Sequence, residues 1–193
     1  MRSAILYDLE FTAWEGSMAR RWLAPGEFRE VVQIGAVKID AATLQTIAEL
    51  NLLVRPRLNT VLSDYLQSLT GITNAMLAEK GMDFRAAYDR FIAFAGDGPI
   101  VSFGRDDIVL TDNLALYGIG DAPALPVHRN IAPWLNAQGV ATKGRHSSDV
   151  ARLCGVAFHG RAHDALDDAR SLAAGARALI ARGAHNMFLD DNP

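Results

Sequence analysis

The segment Ala4–Thr12 reads AILYDLEFT, an apolar run that ends in carboxylates. Its first part, Ala4–Leu9, has the length and composition of a buried β-strand. Side chains two residues apart point to the same side of a strand, so Asp8 and Glu10 face one way while Leu9 enters the core. Two close carboxylates repel each other and favour a cation beside them. Taken alone, the pair is more typical of a strand that runs out into solvent.

Two segments further along extend this strand into a meander. Residues Glu30–Asp40 read EVVQIGAVKID, which is rich in β-branched residues and partly alternating. Residues Thr46–Arg55 read TIAELNLLVR, and Pro56 closes that segment. We therefore predict three consecutive strands in the first third of the chain.

The rest of the chain has the patterns of helices mixed with two more strands. We predict helices over Val61–Leu69, Asn74–Lys80, Phe84–Ala95, Asp106–Tyr117, Ser147–Leu153 and Ala162–Arg182, and strands over Pro99–Phe103 and Val127–Ile131. This order indicates an α/β fold with a mixed five-stranded sheet and helices on both faces. We expect a single domain over residues 1–185 and a C-terminal tail, 186–193, without an assigned role.

The bulk composition restricts the class of protein. The formal charge of −3 over 193 residues argues against a broad basic surface for nucleic acid. The single Cys154 cannot form an internal disulfide, and no apolar run approaches the length of a membrane span. We expect a soluble cytoplasmic protein with no membrane contact; whether it is a monomer or a homodimer stays open.

Two more groups of carboxylates follow the first. Asp106 and Asp107 stand at a predicted helix start, where one of them would ordinarily cap the helix. On the last helix, His163 precedes Asp168, in a first turn whose acidic residues also complement the helix dipole. Carboxylates on a strand end and two helices can hold two divalent ions, and oxygen ligands favour Mg²⁺ or Mn²⁺ over zinc. A histidine beside a metal-activated water can serve as general base.

A zinc protein is the competing interpretation. His159 and His163 are four residues apart, and Cys154 lies nearby. Gly160 disfavours a helix that begins so early, and no fourth ligand is evident. A non-catalytic protein that binds nucleic acid with the same fold is a second alternative. Such a protein normally lacks one of the metal ligands, and every candidate ligand is present here.

Three motifs in order give the sequence a family resemblance. They are Asp8-Leu9-Glu10 with Thr12, then Gly104 to Asp107, then His163 with Asp168. Further matches are Gln33–Val37, Val54–Pro56 and Leu69–Thr73. The chain resembles the DEDDh exonucleases, the branch of the RNase H-like superfamily that includes RNase T and proofreading subunits. The resemblance extends to about Leu179 and implies an RNase H-like fold.

The resemblance also implies an activity and a set of ligands. It implies a 3′–5′ exonuclease that removes nucleoside 5′-monophosphates from the 3′ end of single-stranded RNA or DNA. Two Mg²⁺ or Mn²⁺ ions would be bound by Asp8, Glu10, Asp107 and Asp168. His163 would deprotonate the attacking water. Asp107 is preferred to its neighbour Asp106 because the family motif has two residues between the glycine and the aspartate.

Substrate contacts follow from the same resemblance. Glu10 and the backbone around Phe11 and Thr12 would hold the terminal nucleotide. Phe103 stands where the family often has tryptophan. Trp14 is a candidate for stacking on a base, and a packing role explains it equally well. Neither the choice between RNA and DNA nor the preferred length follows from the sequence.

Overall fold

A computed structural model describes residues 2–190 and contains one five-stranded sheet in the order β3-β2-β1-β4-β5. The strands are β1 (Ser3–Phe11), β2 (Val31–Asp40), β3 (Thr46–Leu53), β4 (Ile100–Ser102) and β5 (His128–Asn130). The first three strands form an antiparallel meander, and β4 and β5 run parallel to β1. The predicted mixed α/β sheet is confirmed.

Eight α-helices and two short 3₁₀ helices accompany this sheet within the described residues. The α-helices are α1 (Ser17–Arg20), α2 (Asp64–Thr70), α3 (Asn74–Lys80), α4 (Phe84–Ala95), α5 (Asp106–Leu116), α6 (Ile131–Ala137), α7 (Val150–Leu153) and α8 (Ala165–Ala181). The 3₁₀ helices cover Ser147–Asp149 and Met187–Leu189. Helices α1 and α6 were not predicted from the sequence, since both are short and neither has an apolar period long enough to detect.

Side-chain alternation along β1 divides the core into two layers. Ile5 and Tyr7 point toward one face of the sheet, where they pack with Phe91 of α4 and Leu110 of α5. Leu6 points toward the other face and joins the cluster beneath α8. Asp8 and Glu10 continue the row of Leu6, so the strand directs both carboxylates to the side of the sheet that α8 covers.

The last helix begins at Ala165, three residues later than predicted. Asp164 caps it, because its side chain accepts hydrogen bonds from the backbone N–H groups of Leu166 and Asp167 at 3.1 Å each. His163 has a φ of 60°, a left-handed conformation that cannot continue into a helix. The histidine therefore lies just outside the helix, and Asp168 lies in its first turn.

Gly35 of β2 allows the start of α8 to approach the sheet. A Cβ on residue 35 would lie 2.1 Å from the backbone of Ala165 and of Leu166. Gly35 also pairs with Asp8 across β1 and β2, so this close approach brings α8 next to the first carboxylate. The glycine thus determines how near the two elements of the site can come.

We expect Gly35→Ala to displace the start of α8. Forcing a methyl group into this contact should cost about 1–3 kcal/mol of unfolding free energy. A shift of about 1 Å at the site should lower turnover by about 100-fold, well beyond the loss of stability. Thermal unfolding and initial rates measure the two effects. Gly120→Ala is the matched control, because a Cβ there meets nothing within 4 Å; equal activity of both variants would contradict the prediction.

The predicted tail partly belongs to the folded body. Met187 and Phe188 are buried in the cluster beneath α8, and Trp134 donates a hydrogen bond to the carbonyl of His185 at 3.0 Å. Residues 191–193 of the predicted tail lie outside the described residues. The boundary at residue 185 stays a prediction. Among residues 2–190, no helix has the length and apolar character needed to cross a membrane.

Candidate metal centre

A cavity of about 940 Å³ opens beside the end of β1. Its lining includes acidic and imidazole groups from four parts of the chain: Asp8, Glu10, Asp106, His146, His163 and Asp168. Most of the other lining residues are apolar. Most of the residues that the sequence analysis named as catalytic therefore meet at a single cavity.

Polar contacts at the start of α8 hold the third motif against the sheet. The side chain of Gln33 accepts a hydrogen bond from the Ala165 N–H at 3.0 Å and donates one to Asp164 at 3.2 Å. Gln33 stands on β2, directly opposite Glu10 on β1. This glutamine thus ties α8 to the strand pair that carries Asp8 and Glu10, and Asp168 follows one turn after the cap.

The structure places Asp106, and not Asp107, in the cavity. Helix α5 begins at Asp106, and consecutive helical residues point about 100° apart. Asp107 is therefore turned away. It accepts hydrogen bonds from Arg105 at 2.9 Å and lies 3.3 Å from Nδ1 of His128. The sequence assigned the ligand role to Asp107, and this geometry favours Asp106 instead, because the spacing of the motif does not fix the helix rotation.

Two carboxylate oxygens in the cavity are buried without a hydrogen-bond partner. They are Oδ2 of Asp106 and Oδ1 of Asp168. Leaving a buried carboxylate oxygen unpaired is costly, and a bound cation removes that cost. Ligand atoms of Glu10, His163 and Asp168 also lie within 4.8 Å of one another. The site therefore has the oxygen-rich ligand set of a divalent metal centre.

The pKa values of these carboxyl groups are raised, as expected for crowded acids without a counter-ion. Burial raises the pKa of Asp8 and Glu10 well above the ordinary range, and neighbouring carboxylates raise both further. Burial and Asp107 raise the pKa of Asp106 to about 7. Burial and Asp8 raise the pKa of Asp168 to about 8. A cation would reverse these shifts, so protons and metal compete for the same oxygens.

His163 lies next to the carboxylates, with a ring nitrogen within 4.8 Å of an oxygen of Glu10 and of Asp168. Its ring is edge-on to the ring of His146, with centroids 5.6 Å apart. Burial lowers the pKa of His163, and the neighbouring His146 and Arg161 lower it further, against the opposing effect of Asp149. A neutral imidazole at neutral pH is the form that can accept a proton. His146 was not predicted from the sequence, because no family motif includes it.

The predicted substrate contacts divide into two groups. Phe11, Trp14 and Phe103 belong to the apolar lining of the cavity. Thr12 does not, because its hydroxyl donates a hydrogen bond to the Phe28 carbonyl and accepts one from the Glu30 N–H. The hydroxyl of Thr12 thus fixes the backbone at the end of β1. The remaining apolar lining was not predicted and includes Met18, Trp22, Tyr65 and Leu69.

The geometry disfavours the zinc interpretation. Cys154 is buried in the cluster beneath α8. Over residues 2–190, the one group of three His, Cys, Asp or Glu side chains close enough to share an ion is Glu10, His163 and Asp168. That group contains no thiol and lacks His159, so it does not provide the soft ligand set that the alternative required.

We expect divalent metal to stabilise the protein and Asp168→Asn to abolish that effect. A ligand present at 100 times its Kd adds about 2.7 kcal/mol to the free energy of unfolding. For a chain of this size, that raises the Tm by about 5–10 °C. Thermal unfolding in EDTA and in Mn²⁺ measures the shift. Asp167→Asn is the matched control, since Asp167 pairs with Arg170; an undiminished shift in Asp168→Asn would contradict the assignment.

One family profile matches most of the chain. The sequence profile of the RNase T family, described as exonuclease, matches residues 5–175. No curated protein sequence matches the chain significantly.

Solved structures share the fold at low sequence identity. The nuclease domain of 3′hExo, a DEDDh family member bound to rAMP, has a TM-score of 0.79 and 23% identity, over 97% of this chain and 96% of that one. Cell-death related nuclease 4 has a TM-score of 0.75 and 20% identity, over 95% of this chain and 65% of that one. Exonuclease I of E. coli with a dA16 oligonucleotide has a TM-score of 0.70 and 15% identity, over 95% of this chain and 42% of that one.

These comparisons confirm the predicted resemblance and the prediction of an exonuclease enzyme. The fold likeness covers nearly all of this chain, whereas the chain spans less than half of exonuclease I. Because the family profile extends over most of the sequence and the fold agrees with it, the chain belongs to the RNase T family of exonucleases.

Proposed function

We propose that the protein is a metal-dependent 3′–5′ exonuclease that acts on single-stranded nucleic acid. It removes nucleoside 5′-monophosphates from the 3′ end, with Mg²⁺ or Mn²⁺ as cofactor. One observation supports this proposal most: Asp8, Glu10, Asp106 and Asp168 converge with His163 on one cavity, and two of the carboxylate oxygens are buried without a partner.

The carboxylates would hold the metal ions, and Asp106 takes the place that the sequence assigned to Asp107. Two bound divalent ions would supply a water of lowered pKa and would polarise the phosphodiester. The acidic cluster matches this need because its oxygens are hard ligands and because burial makes its uncompensated charge costly. The negative net charge of the chain is consistent with such a site, since the ligands count as anions until ions bind.

His163 would accept the proton of the attacking water. The water oxygen forms a bond to phosphorus, the bond from phosphorus to the 3′ oxygen of the preceding nucleotide breaks, and that oxygen acquires a proton. The departing nucleotide keeps the phosphate on its 5′ oxygen. The lowered pKa of His163 keeps the imidazole neutral, and its place outside α8 leaves the ring free to face the cavity.

The apolar residues of the cavity lining would receive the bases. Phe11, Trp14 and Phe103 present aromatic rings there, and stacking on such rings tolerates any base. One structural neighbour is bound to rAMP and another to a dA16 oligonucleotide, which supports a nucleotide ligand with either sugar. A cavity of about 940 Å³ has room for more than the reacting phosphate group.

A time course with 5′-labelled oligonucleotides tests the proposal. Single-stranded RNA and DNA are incubated with Mg²⁺, Mn²⁺ or EDTA, beside the Asp8→Ala variant. We expect a metal-dependent ladder that shortens from the 3′ end and is absent in EDTA and in the variant. The faster substrate identifies the preferred sugar. A folded, metal-bound protein that cleaves neither strand would contradict the proposal and would favour a binding role.

A further inference from the structure

A buried serine hydroxyl lies between two of the carboxylates. Ser147 donates a hydrogen bond to Oδ1 of Asp8 at 2.7 Å and one to Oδ2 of Asp168 at 3.2 Å. All three side chains are buried, and Ser147 also lines the cavity. A hydroxyl has one proton, so the two carboxylates share a single donor.

The position of Ser147 is fixed by the same helix that carries Asp168. Ser171, one turn further along α8, donates a hydrogen bond to the carbonyl of Ser147 at 2.8 Å. The Ser171 hydroxyl also accepts a hydrogen bond from the Ala151 N–H at 3.0 Å. The 3₁₀ segment and α8 are thus joined through one buried hydroxyl, and the distance between Ser147 and Asp168 is set by α8.

The contacts of Ser147 determine which carboxylate oxygens remain available. The hydroxyl occupies Oδ1 of Asp8 and Oδ2 of Asp168. Oδ1 of Asp168 is the buried oxygen without a partner. The hydrogen bond therefore leaves the opposite oxygen of Asp168 for a cation and restricts rotation of the carboxylate. Groups that hold ligands in this way are worth about 10- to 100-fold in metal affinity in other proteins.

We infer that Ser147 is a positioning residue that orients Asp8 and Asp168 for divalent metal. The inference rests on the proposed function only in that both carboxylates bind metal. It assigns Ser147 no contact with substrate. Neither the motifs of the family resemblance nor any local sequence signal marks this residue, because both partners are distant in sequence.

Mn²⁺ binding by calorimetry tests the inference on the full chain without substrate. We expect Ser147→Ala to bind Mn²⁺ about 10- to 100-fold more weakly. We expect Ser147→Thr, which keeps the hydroxyl, to recover most of the affinity. Ser148→Ala is the matched control: Ser148 is buried to the same degree, and over the described residues it donates no hydrogen bond to Asp8 or Asp168. Its carbonyl contact with Ser171 is unchanged by the substitution.

Thermal unfolding separates positioning from a purely structural role. A structural role would lower the Tm of Ser147→Ala equally in EDTA and in Mn²⁺. Positioning predicts that the stabilisation by a fixed, subsaturating Mn²⁺ concentration becomes smaller in Ser147→Ala and stays normal in Ser148→Ala. Unchanged Mn²⁺ affinity in Ser147→Ala overturns the inference, as does equal weakening in Ser148→Ala. If Ser147→Ala does not fold, the inference depends on Ser147→Thr, and weak Mn²⁺ binding by that folded variant overturns it.

The outcome is distinguishable from failure of the proposed function. Wild-type protein that binds Mn²⁺ but cleaves neither RNA nor DNA contradicts the proposed activity and leaves the role of Ser147 in metal binding intact. Active wild-type protein with an unaffected Ser147→Ala variant contradicts the role of Ser147 alone. Because binding is measured without nucleic acid, the two results are independent.

Discussion

Asp106→Asn is expected to lower kcat by about 10³-fold, while Asp107→Asn keeps at least about a tenth of the activity. Charge stabilisation by a bound metal is worth several kcal/mol, and each 1.4 kcal/mol corresponds to a factor of ten in rate. Asp106 faces the cavity with a buried, unpartnered oxygen. Asp107 is paired with Arg105 and His128 outside it.

The two aspartates are each other's control, because they are adjacent and the same substitution removes the same charge. Single-turnover rates at saturating Mn²⁺ and Mn²⁺ titrations should be measured on both variants. We expect Asp106→Asn to lose rate and metal affinity together. The reverse pattern, with Asp107→Asn inactive and Asp106→Asn active, would return the ligand role to Asp107. It would also mean that the start of α5 rotates when metal binds.

His163→Ala is expected to lower kcat by about 10²–10⁴-fold, which is the contribution of a positioned general base. Mn²⁺ affinity should change only a few-fold, because the carboxylates are expected to supply most of the binding. His146→Ala is the matched control. Its ring lies beside that of His163 on the same cavity, and we expect less than about a tenfold loss. Near-normal turnover of His163→Ala would remove the histidine from the mechanism.

The pH dependence of the wild-type enzyme provides a second measurement on His163. A base must be unprotonated to act, so kcat should rise with pH and level off above the pKa of His163. Burial, His146 and Arg161 lower that pKa from the ordinary value of 6.5, so the plateau should begin at or below neutral pH. The His163→Ala variant should lose this acidic limb. A limb of the same shape in the variant would assign it to another group.

Much of the fold could be predicted because its signals are local. The bounds of α3 and α4 agree with the sequence, since Thr73 and Asp83 cap these helices with their own side chains. The bounds of β2 and β3 agree to within two residues, because alternation and β-branched residues mark strands. The late start of α8 was harder to predict from the sequence. Asp164 caps the helix, but the left-handed backbone of His163 leaves no mark in composition.

The sequence by itself determined the family and the order of elements. Of the five catalytic candidates that it predicted, four line the cavity. Asp8 and Glu10 share a face because strands alternate, and His163 with Asp168 follows a motif whose spacing is short. These relations hold over a few residues, so the backbone geometry of one element is enough to establish them.

Only the tertiary structure decided which aspartate of the second motif enters the site. It also decided which hydroxyl donates hydrogen bonds to the carboxylates of the first and third motifs. A shift of one residue in the start of α5 rotates a side chain by about 100°, so packing of that helix chooses Asp106 over Asp107. Ser147 lies 139 residues from Asp8 and 21 from Asp168. A hydrogen bond across such separations depends on where the sheet and α8 place their ends, and no local pattern in the chain encodes that distance.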